Sequence, residues 1–583
     1  MTESLITQHI DLWTSAIEAK STAGRGSKNK CDLYGIKKLR ELILELAVRG
    51  KLVPQDPTDE PASVLLERIA AEKTRLVKEN KIKKTKELLP ITDDEKPFKL
   101  PLGWIWGRWE EIAMQIGDID HKMPNSQISG YPYISPKDFT ETNGIDFLNA
   151  KKISDVDFKA LSKKTQPKRG DIIFPRYGTI GDNRLVDTDI DFIASYSCCV
   201  IKILNGCFDP KFQYFVSLSG VIKRQTDNAV NKTTQPNVGI KSIQNFIIPI
   251  PPLTEQIRIV AKVEELMALC DQLEQQTLSS IDAHATLVDT LLETLTNSAD
   301  AAELEQNWAR ISEHFDTLFI TEQSIDALKQ TILQLAVMGK LVRQDPTDEP
   351  ASVLLEKIAA EKAQLIKDKK IKKEKPLPPI SDDEKPFELP QGWEWCRLGS
   401  ITSSRLGKML DNAKNKGVMK KYLRNTNVQW GMIDLSDLKE MKFEESEFEE
   451  FRLKSGDLLV CEGGEPGRCA IWELDDSDIF FQKALHRVRT YAGVDASFIE
   501  INLLVSAGNG GLDGLVTGAT IKHLPGDKLA IYPIPLPPLK MQIKIIKKVK
   551  KLLMLCDELK NKLKNNRETK LHITDSIIDK VIV

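Results

Sequence analysis

The sequence predicts an α/β protein built as an internal duplication: two mixed α/β domains joined by long helices that pair as an antiparallel coiled coil about a pseudo-twofold axis. Three observations carry this. The stretch from Lys51 to Trp104 (KLVPQDPTDEPASVLLERIAAEK, running on to DDEKPFKLPLGW) recurs without a gap from Lys340 to Trp393, Gly50 aligning with Gly339. The stretch from Pro251 to Leu273 recurs from Pro537 to Leu559, Cys270 aligning with Cys556. Between these copies lie two blocks, Ile105–Ile250 and Glu394–Leu536, alike in length and mostly different in sequence. The period far exceeds the 20–50 residues of a solenoid unit, so whole domains are duplicated.

The expected order is an N-terminal helix and flexible linker over 1–33, a first helical frame over 34–104 and a variable block over 105–250. A long helix and second frame over 251–393, a second block over 394–536 and a closing long helix over 537–583 follow. Leu5 to Ala19 reads as a short amphipathic helix, and Ser21 to Lys30 (STAGRGSKNK) as a flexible linker. Ile36, Leu39, Ile43 and Leu46 fall at helical spacing, as do Ile325, Leu328, Ile332 and Leu335. Gly50 and Gly339 suit the C′ position that ends each helix, and Pro61 and Pro350 the first turn of the next. That next helix runs into a basic tail, Lys78 to Lys86 or Lys367 to Lys375, a solvated end or a contact for phosphates or a partner. Trp104 and Trp393, each after a glycine, are expected in the core at the entry to each block.

Both blocks are short β-like runs broken by turns. Gly170-Asp171 and Gly456-Asp457 occupy matching places, each followed by a strand, a Gly-bearing turn and another strand, so the blocks share one fold with divergent loops. After each block an apolar stripe runs for some forty residues: Val260, Val263, Met267, Cys270, Ile281, Val288, Leu291 and Leu295, then Ile546, Val549, Leu553, Cys556, Leu563, Ile573, Ile577 and Val581. Such a stripe fits a coiled coil about 60 Å long.

Composition narrows the class. With 583 residues, 41% hydrophobic and 28% charged, the chain reads as soluble and multidomain, without a membrane span or signal peptide. Its nine cysteines form no CxxC pair, which points to reduced, buried thiols in a cytoplasmic protein and to no metal site. The net charge of −2 is unlike that of a small autonomous DNA binder. No phosphate loop, GxGxxG, HExxH or Asn-Pro-Pro-aromatic tetrapeptide is present, and the histidines (His121, His486 and His523 within the blocks) are scattered. The organisation suggests reading or holding rather than reacting.

Frame, block, frame, block, frame, with the entries PPLTEQIRIV and PPLKMQIKII into the long helices, the paired GD-strand-turn segments and the QDPTDEPASVLLE frame, resembles the specificity subunits of type I restriction–modification systems. The second copy departs from the motif, with Lys540 and Met541 in place of Thr254 and Glu255. The resemblance implies that each block is a target-recognition domain reading one half of a bipartite, asymmetric site on double-stranded DNA. It implies that the helices act as a ruler and dock two methyltransferase subunits, with motor–endonuclease subunits joining through the complex. The chain itself would be non-catalytic and bind no cofactor; S-adenosylmethionine, ATP and Mg2+ would serve the partner subunits.

Arg, Lys, Asn and Gln read base edges best, with Ser and Thr adaptable. In the first block the candidates are Arg176, Tyr177, Thr179, Asn183 and Arg184 in the turn, and the polar run Lys232, Thr233, Thr234 and Gln235. In the second they are Arg405, Lys408, Arg424, Asn425, Asn427, Gln429, Arg468 and Lys522. The competing class is a coiled-coil scaffold with two protein-binding domains, which sequence-specific DNA retention with a methyltransferase partner would separate from the first.

Overall fold

The computed structural model describes residues 8–19, 31–84, 88–119, 123–140, 142–204, 206–231, 236–373, 375–411, 415–475, 478–518 and 522–582. The Ser21–Lys30 segment read as a linker, Lys232–Gln235 and His121 lie outside them. The chain forms two compact units, 1–280 with 566–583, and 281–565. Both long helices, Leu253–Asn297 and Leu539–Ile582, therefore begin in one unit and end in the other. At 1.5 Å per residue each is about 65 Å long.

In the first unit the N-terminal helix is shorter than expected, Ile10–Ser15, because Glu18–Ala19 leaves it to pair antiparallel with Cys31–Asp32. Trp13 is wholly buried. The frame helices are Tyr34–Val48 and Ala62–Lys78, with Pro61 one residue ahead of the second as its N-cap. The basic run continues past that helix, whose end turns at Asn80 with φ of 56°. Ile36, Leu39, Ile43 and Leu46 are all buried. Gly50 closes the first helix in a Schellman turn, with φ of 65° and the amide of Lys51 reaching the Leu46 carbonyl at 2.9 Å. Space demands glycine there as well, since a Cβ would stand 2.5 Å from Pro101 Cγ.

The first block is closed at its base by Ile105–Arg108 pairing antiparallel with Ile247–Ile250. Above it lies a four-stranded antiparallel sheet in the order Ala113–Gly117, Cys198–Ile203, Ile172–Pro175, Arg184–Leu185. A three-stranded sheet sets Tyr131–Ile134 between Lys151–Ile153 and Ile193–Ala194, parallel to the latter. Asp171 of the Gly-Asp pair accepts the amide of Lys168 at 2.8 Å and pairs with Lys202 at 3.0 Å, fixing the turn into the sheet. Burial pushes its carboxyl above the usual range.

The second unit repeats this plan. Glu322–Val337 and Ala351–Lys367 form the frame, and Glu394–Arg397 pairs with Pro533–Leu536. The four-stranded order is Thr402–Leu406, Leu485–Thr490, Leu458–Cys461, Cys469–Ile471. Val418–Leu423 sits between Lys439–Phe443 and Ile479–Phe481, parallel to the latter. Asp457 accepts the Lys454 amide at 2.8 Å and the Arg489 guanidinium at 2.9 Å, matching Asp171.

Each long helix is locked to its block by one buried glutamine. Gln256 accepts the amide of Asp209 at 2.9 Å and donates to the Pro251 carbonyl at 3.0 Å. Gln542 does the same with Asp495 and Pro537, both at 3.0 Å. Asp209 and Asp495 in turn cap the helices Pro210–Leu218 and Ala496–Gly508. Trp104, in the core as expected, donates its indole N–H to Glu255 at 2.8 Å, and Gln55 donates to the same carboxylate at 2.7 Å. The helix stripe holds at Val260, Val263, Cys270, Val288, Leu295, Ile546, Val549 and Cys556, all buried, but drifts elsewhere. Leu292 rather than Leu291 is buried, and Ile573 is exposed while Thr574 next to it is buried. A straight α-helix slips against a strict three–four repeat, so the buried face rotates around it.

Candidate nucleic-acid interface

In each block a Gly-bearing turn leaves the four-stranded sheet and meets a second loop from far along the chain. In the first unit the turn joins Ile172–Pro175 to Arg184–Leu185, with Gly178 and Gly181 at φ of 76° and 81°. In the second it joins Leu458–Cys461 to Cys469–Ile471, with Gly464 and Gly467 at 84° and 90°. The hydrogen bonding repeats: Asp182 reaches the Thr179 carbonyl at 3.2 Å, and Arg468 that of Glu465 at 3.2 Å. These left-handed conformations favour glycine, so the turn shape stays fixed while its other residues vary.

The second loop is a hairpin. Val230–Asn231 pairs with Asn237–Val238, and a Tyr177·Asn237 bridge ties this stem to the turn. In the second unit Thr517 bridges His523, and His523 bridges Gly463. Turn and hairpin thus make one ledge in each unit. In the second unit Lys522, next to His523, is exposed.

Different side chains seal the same joint. Arg176, buried, donates to the Val238 carbonyl at 2.9 Å and pairs with Asp118. In the second unit Leu524 holds the place of Val238, and buried His486 meets its carbonyl at 2.8 Å. A carbonyl only accepts, so that imidazole nitrogen carries the proton. Burial lowers the pKa of His486 and keeps the ring neutral.

The expected base-contacting residues that are described fall into three groups. Thr179, Arg405 and Lys522 are exposed, Arg405 pairing with Glu450, and Tyr177 is half-buried on the ledge with its ring 6.5 Å from that of Tyr196. Arg424, Asn425, Gln429 and Arg468 are half-buried and engaged within the block. Arg424 pairs with Asp437 at 2.6 Å, Asn425 donates to Gly463 at 3.1 Å, Gln429 donates to Thr426 at 3.1 Å, and Arg468 donates to the Asn425 carbonyl at 2.8 Å.

Arg176, Asn183, Arg184, Lys408 and Asn427 are buried and hold loops together instead of facing outward. Arg184 is taken up by Asp182 and the Thr140 and Gly144 carbonyls, over the Phe139 ring. Asn183 donates to the Ser217 carbonyl at 2.9 Å, Asn427 bonds Asp434 and Asp437 carbonyls at 3.0 and 3.2 Å, and Lys408 pairs with Glu447. Sequence reasoning missed Asn237, His523 and Trp430, whose indole donates to Glu465 at 2.8 Å on the second turn. Extending the Gly-Asp alignment through the turn glycines, pairing Gly178 with Gly464 and Gly181 with Gly467, sets Asn237 opposite His523, while nothing in that alignment marks Trp430.

The cysteines resolved in side-chain detail are free thiols, and burial pushes Cys198 and Cys396 up to about 12, Cys461 to about 11. Such thiols are not nucleophiles at neutral pH. Among the described residues no helix is long and apolar enough to cross a membrane.

Two copies of one α/β domain, each raising a variable ledge on a reproduced helical frame, define a two-headed recognition protein. The chain belongs to the family of type I restriction–modification specificity subunits: the type I restriction modification DNA specificity domain matches residues 111–283 and 390–568. It is 44% identical over 604 residues to the type I restriction enzyme EcoAI specificity subunit of Escherichia coli, spanning 100% of this chain and 99% of that one. It is 42% identical to the EcoEI specificity subunit of the same organism, spanning 99% of each. A crystal structure of the HsdS subunit from Thermoanaerobacter tengcongensis is 19% identical, with 83% of this chain and 98% of that one covered at a TM-score of 0.39.

Proposed function

We propose that each ledge reads one half of a bipartite, asymmetric site on double-stranded DNA, and that the chain works in the cytoplasm as the non-catalytic specificity component of its complex. The frame helices dock two methyltransferase subunits, motor–endonuclease subunits join through that assembly, and the long helices set the spacer between half-sites. S-adenosylmethionine, ATP and Mg2+ chemistry belongs to those partners. One observation carries this reading: the two units keep the same turn, hairpin and anchoring glutamine while the side chains on the ledge differ, Tyr177 and Thr179 in one, Gly463 and Glu465 in the other. A shared frame fits identical partners, and different ledges fit an asymmetric target.

The test is a block exchange. Replacing Glu394–Leu536 with the corresponding block of a related subunit, in a strain carrying the methyltransferase, should change one half of the methylated sequence and leave the other and the spacer intact. A change in both halves overturns independent reading.

A further inference from the structure

We propose that Lys547, Lys548 and Lys551 on the second long helix form a sequence-independent contact for the DNA phosphate backbone, one that the first helix lacks. From Leu539 to Leu555 this helix carries Lys540, Lys544, Lys547, Lys548, Lys550 and Lys551 and no acidic residue. Lys540 and Lys544 are committed to the frame through Asp348, at 4.0 and 3.3 Å. Lys550 feels the partly buried Glu500. Lys547, Lys548 and Lys551 are exposed and, among the described residues, form no ion pair. Four residues span about 6 Å, close to one turn, so the three ammonium groups leave the helix within a single turn.

The duplication shows that the fold does not ask for them. At the corresponding places the first helix has Ala261, Lys262, Glu264 and Glu265. There Lys262 pairs with Glu265 at 2.9 Å, and Glu264 pairs with Lys211. That surface is neutralised internally, whereas the second is left positive. A partner docking identically on both frames meets features common to both helices, such as Ile257 and Ile543, exposed to 56% and 58%. A feature on one helix alone addresses the asymmetric component of the assembly, and the charge fits a polyanion. This inference rests on the chain acting as a DNA specificity subunit.

The test uses the full chain assembled with its methyltransferase, on a duplex carrying the mapped target and on a scrambled duplex of equal length. The variant K547A/K551E installs the residues of the first helix, and K547Q/K551Q removes charge without adding any. Expected is a fall of about 2 in the slope of log affinity against log salt, since each lost phosphate contact removes about 0.9. For the glutamine variant both duplexes should weaken by the same factor, leaving their ratio unchanged. An unchanged slope in both variants overturns the proposal, and if methyltransferase binding weakens instead, the lysines belong to a protein contact. Should the unaltered assembly fail to prefer the target over the scrambled duplex, the specificity reading itself falls, whatever the variants do.

Discussion

Trp393 donates its indole N–H to Gln344 at 2.9 Å, a bond made where the first unit uses a carboxylate. In that unit Trp104 and Gln55 both donate to Glu255, the place Met541 takes in the second unit. With no carboxylate to meet, Gln344 presents its carbonyl oxygen to the tryptophan, while its amide reaches the Gly339 carbonyl at 2.5 Å as that of Gln55 reaches the Gly50 carbonyl at 3.0 Å. The entry to the long helix is thus held by two solutions, which explains how the acidic residue of the motif is dispensable.

Glu255→Met should therefore be tolerated. Glu255 is almost fully buried, and burial raises its carboxyl above the ordinary 4.5 despite its two hydrogen bonds. An acid held above its unfolded value favours the fold less as pH rises, because the unfolded chain releases its proton first. The variant is expected to lose about 1 kcal/mol near pH 5, and the loss should shrink by pH 8. Urea unfolding at the two pH values checks it; a loss that grows with pH contradicts the pairing.

Glu500 gives a stronger pH effect. It lies on Ala496–Gly508, where burial first, then Glu473 and Asp495, push its carboxyl from 4.5 up to about 7 against the pull of Lys550. The sign is the same: stability declines as pH climbs from about 4.5 to about 7. Glu500→Gln removes the ionisation and is expected to raise stability above pH 7 by about 1–3 kcal/mol, with little change at pH 4.5. Thermal unfolding across that range checks it, and equal effects at both ends would rule out titration of Glu500 as the cause.

The duplication was legible because the frame is written in local signals. Gly50 and Gly339, Trp104 and Trp393, and the apolar spacing of Ile36 to Leu46 each report a neighbourhood a few residues wide, and all lie where expected. The candidate site was legible as a turn but less so residue by residue. A guanidinium in a glycine turn looks available for a base edge, yet Arg184 is absorbed by Thr140 and Gly144, some forty positions away. The joint between turn and hairpin depends on Asp118 in one unit and His486 in the other, partners that no local pattern announces.

The same comparison of units locates a weak point in the first. Among the described residues, Asn183 Oδ1 and both polar side-chain atoms of Gln213 are buried without a hydrogen-bond partner. Gln213 lies one turn before Ser217, whose carbonyl Asn183 meets. The second unit places Cys469 and Ile499 at these positions, both fully buried. Unpaired buried polar atoms cost about 1–3 kcal/mol each. N183C/Q213I should therefore raise the melting temperature by several degrees while leaving the recognised sequence unchanged. Calorimetry together with methylation mapping checks it, and a lower melting temperature would mean that the polar pair is satisfied in solution.

The spacer prediction follows from where the long helices are free. Between Leu273 and Val288 the first helix has no buried residue, and the boundary between the compact units falls inside this stretch, after Ser280. Four residues added there extend the helix by about 6 Å and turn it by about 400°, close to a full rotation. The apolar face is then nearly kept in phase, so the variant should fold. Against about 3.4 Å per base pair, 6 Å corresponds to nearly two base pairs, an upper bound because a helix inclined to the DNA axis projects less length onto it. Methylation mapping should return the same two half-sites with a spacer one or two base pairs longer. An active variant that keeps the original spacer would remove the ruler and leave the helices as a docking frame alone.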